Sequence, residues 1–221
     1  MRGPVTPWLL LLAKSFATGK SRLAPVLDDS ARTRLNEFLL RHALAVAHRF
    51  PGRERTAVIS ECARTLQLAS AHGFRAIAQA DVSGLNGAAA QGVAQLCSIG
   101  VQHVLVLACD MPAVRADDLR KVAAGARERE VVLCPDKAGT GTNGLLVPRD
   151  VPMQFHFGLH SLQKHCREVA RLGLAPRIHR DPRIAFDVDT AADLQRWYRQ
   201  YPDQAAQAGI AFLEEGALLC A

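Results

Sequence analysis

The sequence predicts an α/β fold: a single three-layer α/β/α domain around a mostly parallel mixed sheet. Three observations predict it. Short apolar runs alternate with longer amphipathic segments from residue 8 to residue 199, the pattern that yields parallel strands joined by crossover helices. The most apolar run, HVLVLAC at 103–109, shows no inside–outside alternation, as expected of a central strand covered on both faces. A chain of 221 residues with 49% hydrophobic content can build one domain with a substantial core.

The elements follow in order. Residues 8–13, WLLLLA, are a short apolar run bounded by Pro4, Pro7 and Lys14, and read as the first strand. Asp28, Asp29 or Ser30 caps a helix to about residue 50, whose apolar positions Leu35, Phe38, Leu39, Ala43, Val46, Ala47 and Phe50 recur every three to four residues. Pro51-Gly52 stops it. A strand over 56–60, a helix over 61–72 ended by Gly73 and a strand over 74–80 come next. A loop at 81–85 leads into an alanine-rich helix to about residue 99. The 103–109 strand is followed by a helix over 117–130, strands over 131–134 and 144–147, and a helix over 161–172. Two short strands, 176–180 and 184–188, precede a helix over 191–199 capped by Thr190. The alanine-rich remainder, 200–221, is expected to form a helical tail against the body or a second copy of the chain.

Composition narrows the function. The formal charge is +6, but the basic residues are mostly arginines spread along helices, as at Arg32, Arg34, Arg41 and Arg49. That distribution reads as solvated helix faces rather than a nucleic-acid surface, and 5% aromatics leaves little for base-stacking platforms. The apolar run at 8–13 is too short for a secretory leader and far below the roughly 20 residues a membrane span needs. Six cysteines without a C-x-x-C pair read as reduced thiols, which places the protein in the cytoplasm. His156, His160 and His165 lie close together without the spacing of a zinc motif.

The chemistry concentrates in loops that leave strands, where α/β sheets bind ligands. The first is Lys14, Lys20, Ser21 and Arg22, three cations in nine residues with Gly19 among them, suited to a triphosphate. TGKS at 18–21 also completes the second half of a P-loop, but the first glycine of that motif would fall at position 14, which is lysine. The second is Asp110, which ends the central strand and offers a carboxylate for Mg²⁺, a cation that takes oxygen ligands and substrate phosphates. The third is GTGTNG at 139–144, where glycines let backbone amides approach an anion. The fourth is Asp187-Val188-Asp189-Thr190. Here another strand ends in carboxylate just before a helix, and alternation points the two aspartates to opposite faces, so one of them would complete a metal site with Asp110. Each has a plainer reading, as a basic loop, a turn aspartate, a hairpin or a helix cap. Together they describe a metal-assisted nucleotidyl transfer site.

These motifs resemble the guanylyltransferases of coenzyme F420 biosynthesis, relatives of the molybdenum-cofactor guanylyltransferases within the GT-A-like nucleotidyltransferases. The resemblance covers about residues 8–199 and rests on KSRL at 20–23, GLN at 84–86, DMP at 110–112, GTGTN at 139–143, Phe157-Gly158 with Ser161 and His165, and DVDT at 187–190. It implies a nucleotidyltransferase domain over 1–199 that joins GTP to a small phosphorylated acid: 2-phospho-L-lactate, phosphoenolpyruvate or 3-phospho-D-glycerate. It also implies Mg²⁺ on Asp110 and Asp189, a phospho-acid on Thr142, Gly158 and Ser161 with Thr140 and Asn143 nearby, and a nucleoside along Gly84, Leu85 and Asn86. Lys14, Lys20 and Arg22 would act on the phosphates. Cys109, the segment FHF at 155–157 and the tail after Arg199 depart from the family pattern. A molybdopterin acceptor is the neighbouring alternative. The glycine-rich loop G-G-x-S-x-R-[MF]-G usual in those relatives is replaced here by lysines. A non-catalytic nucleotide-binding protein is the other.

Overall fold

The computed structural model describes residues 6–16, 19–80, 84–124, 126–212 and 218–220. Strands β1 (Trp8–Leu12), β2 (Thr56–Ser60), β3 (Arg75–Ala78), β4 (His103–Ala108), β5 (Val132–Pro135), β6 (Thr142–Pro148) and β7 (Arg177–Ile178) form one sheet in the order β3-β2-β1-β4-β6-β5-β7. β3, β2, β1 and β4 run parallel, β6 is antiparallel to both β4 and β5, and β7 is parallel to β5. The expected α/β fold with a mostly parallel mixed sheet is therefore present.

The run of leucines in β1 explains the layering. Side chains alternate across a strand, so Leu9 and Leu11 enter one buried cluster while Leu10 and Leu12 enter another. α1 (Asp29–Arg49) and α4 (Ala116–Ala123) cover the first face through Leu40, Leu44, Leu119 and Val122. α3 (Gly84–Ser98) and α5 (Ser161–Arg171) cover the second through Ala88, Ala89, Leu96 and Val169. α3 lies close on β1 because Gly92 has no side chain: a Cβ there would come within 2.5 Å of Leu10 Cδ2. α2 (Ala63–Ala71) adds Ala69 to the first face.

A third cluster lies on the far side of α1. There Leu35 and Leu39 meet Leu23, Val188 and Trp197, the last from α6 (Ala191–Gln200). α7 (Pro202–Gln207) joins it with Ala205.

Three expected elements differ. The helix at 117–130 ends at Ala123, where the Arg177 guanidinium donates to the Val122 and Ala124 carbonyls at 2.8 and 3.5 Å, satisfying acceptors that a longer helix would have used. The strand at 184–188 is irregular backbone tied to β4 by one bond, Val188 N–H to the Asp110 carbonyl at 3.1 Å. The tail is not helical throughout. α7 stops before Gly209, whose φ of +66° ends the helix, and the backbone of β8 (Ile210–Phe212) pairs antiparallel with β9 (Leu218–Cys220). Among the described residues no helix is long and apolar enough to cross a membrane, and none of Cys62, Cys97, Cys109, Cys134 and Cys166 is in a disulfide.

Candidate active site

Between β1 and β4 the order of connection reverses, and the crevice beyond their carboxyl ends is where such sheets hold ligands. A cavity of about 550 Å³ opens there. β6 begins at the same edge because it runs antiparallel to β4, so the glycine–threonine loop reaches the cavity opposite Asp110.

One wall is acidic. Asp110 lies two residues past the end of β4, and the hydrogen bond from Val188 to its carbonyl draws the 187–189 segment alongside. Asp110, Asp187 and Asp189 all line the cavity. Since the segment is not a strand, the two aspartates are not forced to opposite faces. Val188 between them is buried in the third cluster. A clasp holds the segment from behind: Arg183 donates twice to the fully buried Asp118 carboxylate, at 2.7 Å each. The Asn143 amide adds a bond to the Ile184 carbonyl at 3.0 Å.

Lys20 closes this wall. It takes the left-handed conformation, φ 60° and ψ 37°, rare for a residue with a side chain. That turn sends its ammonium between two carboxylates, 2.8 Å from Asp110 Oδ2 and 2.6 Å from Asp189 Oδ1. The Lys20 side chain is 7% exposed. Burial pulls its pKa down, and attraction to Asp110 and Asp189 more than offsets this, so the ammonium stays charged. For Asp110, burial acts upward but Lys20, and then Lys14, hold the carboxyl below its ordinary range. Asp187 has no ion-pair partner among the described residues: burial, followed by the charges of Asp110 and Asp189, outweighs Lys137 and pushes it up to about 6. The exposed Lys14 and Arg22 side chains line the cavity mouth, and among the described residues neither has an ion-pair partner.

The donor set suits Mg²⁺. It is all oxygen, and Asp110 Oδ1 and Asp187 Oδ1 are buried without a hydrogen-bond partner, a costly condition that a cation relieves. Among the described residues no three acidic, histidine or cysteine side chains close a cage by themselves. A metal here would keep water and substrate phosphates as ligands, as Mg²⁺ usually does.

The opposite wall is a donor surface. Thr140, Thr142, Asn143, Gly158 and Ser161 all reach the cavity. Gly158, at φ +116°, and His160, at φ 55°, turn the chain into α5. The loop and helix are stitched by Leu162 N–H to the Thr140 carbonyl at 3.0 Å. Thr142 is 7% exposed and Ser161 2%.

Of the nucleoside residues expected from sequence, Leu85 borders the main cavity. Gly84 borders a smaller pocket of about 150 Å³ beside it. Asn86 is engaged elsewhere: its Oδ1 accepts from Phe157 N–H at 2.6 Å and its amide donates to the Phe157 carbonyl at 3.3 Å. It braces the 157–158 turn.

Sequence reasoning passed over three contributors. Asp136 lines the cavity and accepts from Thr140 N–H at 2.9 Å, fixing the glycine-rich turn; its place at the end of β5 was the available signal. Asn36 donates to the Phe16 carbonyl at 2.8 Å and sits where a side chain on Gly19 would collide. Lys137 pairs with Asp193, the residue that also completes the Thr190 capping box at the start of α6. Nothing in the sequence marks these last two contacts.

Known proteins resemble this chain over most of its length. A phosphoenolpyruvate guanylyltransferase of Chloroflexus aggregans is 33% identical over 192 residues, covering 83% of this chain and 93% of that protein. A 2-phospho-L-lactate guanylyltransferase of Methanobrevibacter smithii is 24% identical, covering 84% and 80%. Among solved structures, a candidate nucleotide-diphospho-sugar transferase of Desulfovibrio desulfuricans superposes with a TM-score of 0.72 at 18% identity, covering 87% and 86%. CMP:2-keto-3-deoxy-manno-octonic acid synthetase with CTP gives 0.61 at 14%, covering 90% and 100%. The family described as "Guanylyl transferase CofC like" matches residues 9–200, and this chain, a guanylyltransferase on the nucleotidyltransferase fold, belongs to it.

Proposed function

We propose that the chain transfers GMP from GTP to the phosphate of a small phosphorylated carboxylic acid, phosphoenolpyruvate first among 2-phospho-L-lactate and 3-phospho-D-glycerate, and releases pyrophosphate. The observation that carries this is the pairing of walls in one cavity: Asp110, Asp187, Asp189 and Lys20 face a surface of hydroxyls and glycine-flanked amides. The acceptor rests on the relatives, whose names divide between phosphoenolpyruvate and 2-phospho-L-lactate. The cytoplasm, where GTP and such acids occur together, is the matching compartment.

The chemistry follows from charge. Both substrates are anions, so their repulsion must be cancelled before they meet. Mg²⁺ on Asp110 and Asp189, with Asp187 available as a further ligand, would supply charge neutralisation at the transferring phosphoryl group. Lys14 and Arg22 at the mouth, and Lys20 within, add positive charge around the triphosphate. A phosphate oxygen of the acid attacks the α-phosphorus of GTP in line, the bond to the β-phosphate oxygen breaks, and pyrophosphate leaves. The attacking phosphate is ionised at neutral pH, so no general base is needed. Positioning and electrostatics carry the rate.

The test is mass spectrometry of products from GTP, Mg²⁺ and the three acids supplied together. A guanylylated acid with pyrophosphate is expected. Binding of a fluorescent GTP analogue without any product would refute the reading.

A further inference from the structure

His165 lies behind the donor wall, on the second turn of α5, with no solvent exposure. It touches two segments of the site at once. Its Nε2 faces the backbone N–H of His156 at 2.9 Å, and its Nδ1 faces the Thr142 hydroxyl at 3.0 Å. The Phe157 ring meets it edge-on, with centroids 5.1 Å apart.

These contacts fix the proton. A backbone N–H only donates, so Nε2 must present its lone pair. A neutral imidazole carries one proton, so that proton is on Nδ1 and points at Thr142. The Thr142 oxygen is then an acceptor toward His165, and its own hydrogen is left over. Among the described residues that hydroxyl has no other partner, and Thr142 lines the cavity.

The geometry points to His165 as the positioning residue that makes Thr142 a hydrogen-bond donor, aimed at the anionic acceptor substrate. It rests on the reading that the donor wall holds the phospho-acid. A hydroxyl is ordinarily ambidextrous, and rotates to suit either a donor or an acceptor. With one lone pair occupied by Nδ1–H, this one offers its proton to the cavity, which favours an ionised carboxylate or phosphate over a neutral group. The arrangement also resists protonation of the ring: an imidazolium would set Nε2–H against the His156 N–H. Consistently, burial and then the charge of His156, opposed by Glu168, hold His165 down to about 4.

Asparagine and glutamine separate the two contacts. In His165→Asn the amide nitrogen takes the place of Nδ1, so donation to Thr142 survives while His156 N–H loses its partner. In His165→Gln the amide oxygen takes the place of Nε2, so His156 keeps its partner and Thr142 loses its donor. The experiment measures KM for the acid and for GTP in both variants, in Thr142→Val and in Thr142→Val/His165→Gln. Nitrogen-15 correlation spectra read the wild-type tautomer without substrate.

The expected results are an Nδ1-protonated ring and an acid KM in His165→Asn close to wild type. In His165→Gln the acid KM rises about 2- to 10-fold, the net value of an ordinary hydrogen bond and less than in Thr142→Val because the freed hydroxyl can still rotate to donate, while KM for GTP is unchanged. In the Thr142→Val background, adding His165→Gln has no further effect on acid KM, since the two act through one interaction. An Nε2-protonated ring, equal acid KM in the Asn and Gln variants, or multiplicative effects of Thr142→Val and His165→Gln would overturn this inference alone. A wild type that turns over none of the three acids would overturn the function reading together with it.

Discussion

Replacing Lys20 with methionine removes a charge while keeping most of the volume, and its consequences can be worked from the geometry. The ammonium sits 2.8 and 2.6 Å from Asp110 and Asp189. Removing one partner of a buried ion pair costs about 3–5 kcal/mol because the other charge is left uncompensated. Here the carboxylate partners are 28% and 38% exposed, so water screens part of the loss and about 2 kcal/mol is expected. For a chain of this length that corresponds to a fall in Tm of about 4–8 °C. The variant should recover in two ways. Lowering the pH protonates the unpaired carboxylates, and adding Mg²⁺ replaces the missing cation. In the wild type Lys20 already neutralises the Asp110 and Asp189 carboxylates that would hold the metal, so Mg²⁺ should raise Tm less there than in Lys20→Met. Thermal unfolding with and without Mg²⁺ at two pH values checks this. An equal metal-induced shift in both proteins, or a variant as stable as wild type without metal, would refute the claim that Lys20 and a divalent ion share the site.

Further outcomes follow from the same contacts. Asp187, raised to about 6, binds a proton in competition with metal, so Mn²⁺ affinity measured by titration should be level above pH 6 and fall as pH drops below it. Without metal the sign of its stability contribution is opposite to that of a paired carboxylate: its protonated form suits the fold, so that contribution is lost as pH rises through about 6, and Asp187→Asn should remove the loss in metal-free unfolding curves. Arg183→Ala takes the bidentate partner from the buried Asp118, leaving it the Arg115 N–H at 3.0 Å and the Lys121 ammonium at 3.8 Å, and should cost about 1–3 kcal/mol in denaturant unfolding and also weaken Mn²⁺ binding, since the clasp holds the 187–189 segment. Gly92→Ala pushes a Cβ into fully buried Leu10 and should lower stability by about 1 kcal/mol, the overpacking exceeding the gain in helix propensity.

Much of the frame was legible because burial and secondary structure impose the same periodicities. The strand at Thr56–Ser60 has the expected bounds, and the long helix after Asp28 starts from that residue's side chain, which accepts from Ala31 N–H. The sequence misled where alternate burial arose without a sheet. Ile184, Phe186 and Val188 are buried with more exposed residues between them, which mimics a strand, yet Ile184 packs into the first cluster, Phe186 and Val188 into the third, and the sheet edge ends at β7. The same error hid the fact that Asp187 and Asp189 both reach the cavity. At 124–130 the residues alone suit a helix; a distant arginine, Arg177, ends it.

The site divides similarly. Strand ends placed Asp110, and glycines marked the 139–144 turn, because those signals are local. The bridging position of Lys20 depends on one left-handed residue. The role of His165 depends on a backbone N–H nine residues away in sequence. Neither has a local signature.

Function depends on Asp110, just past β4, acting together with the carboxylates of the 187–189 segment on the transferring phosphate. Pyrophosphate release by Asp110→Asn, with GTP, Mg²⁺ and the best acceptor acid, tests it most directly, with circular dichroism confirming the fold. The expected rate is at least about a hundredfold below wild type; release at nearly the wild-type rate would show that Asp110 does not act on the phosphate.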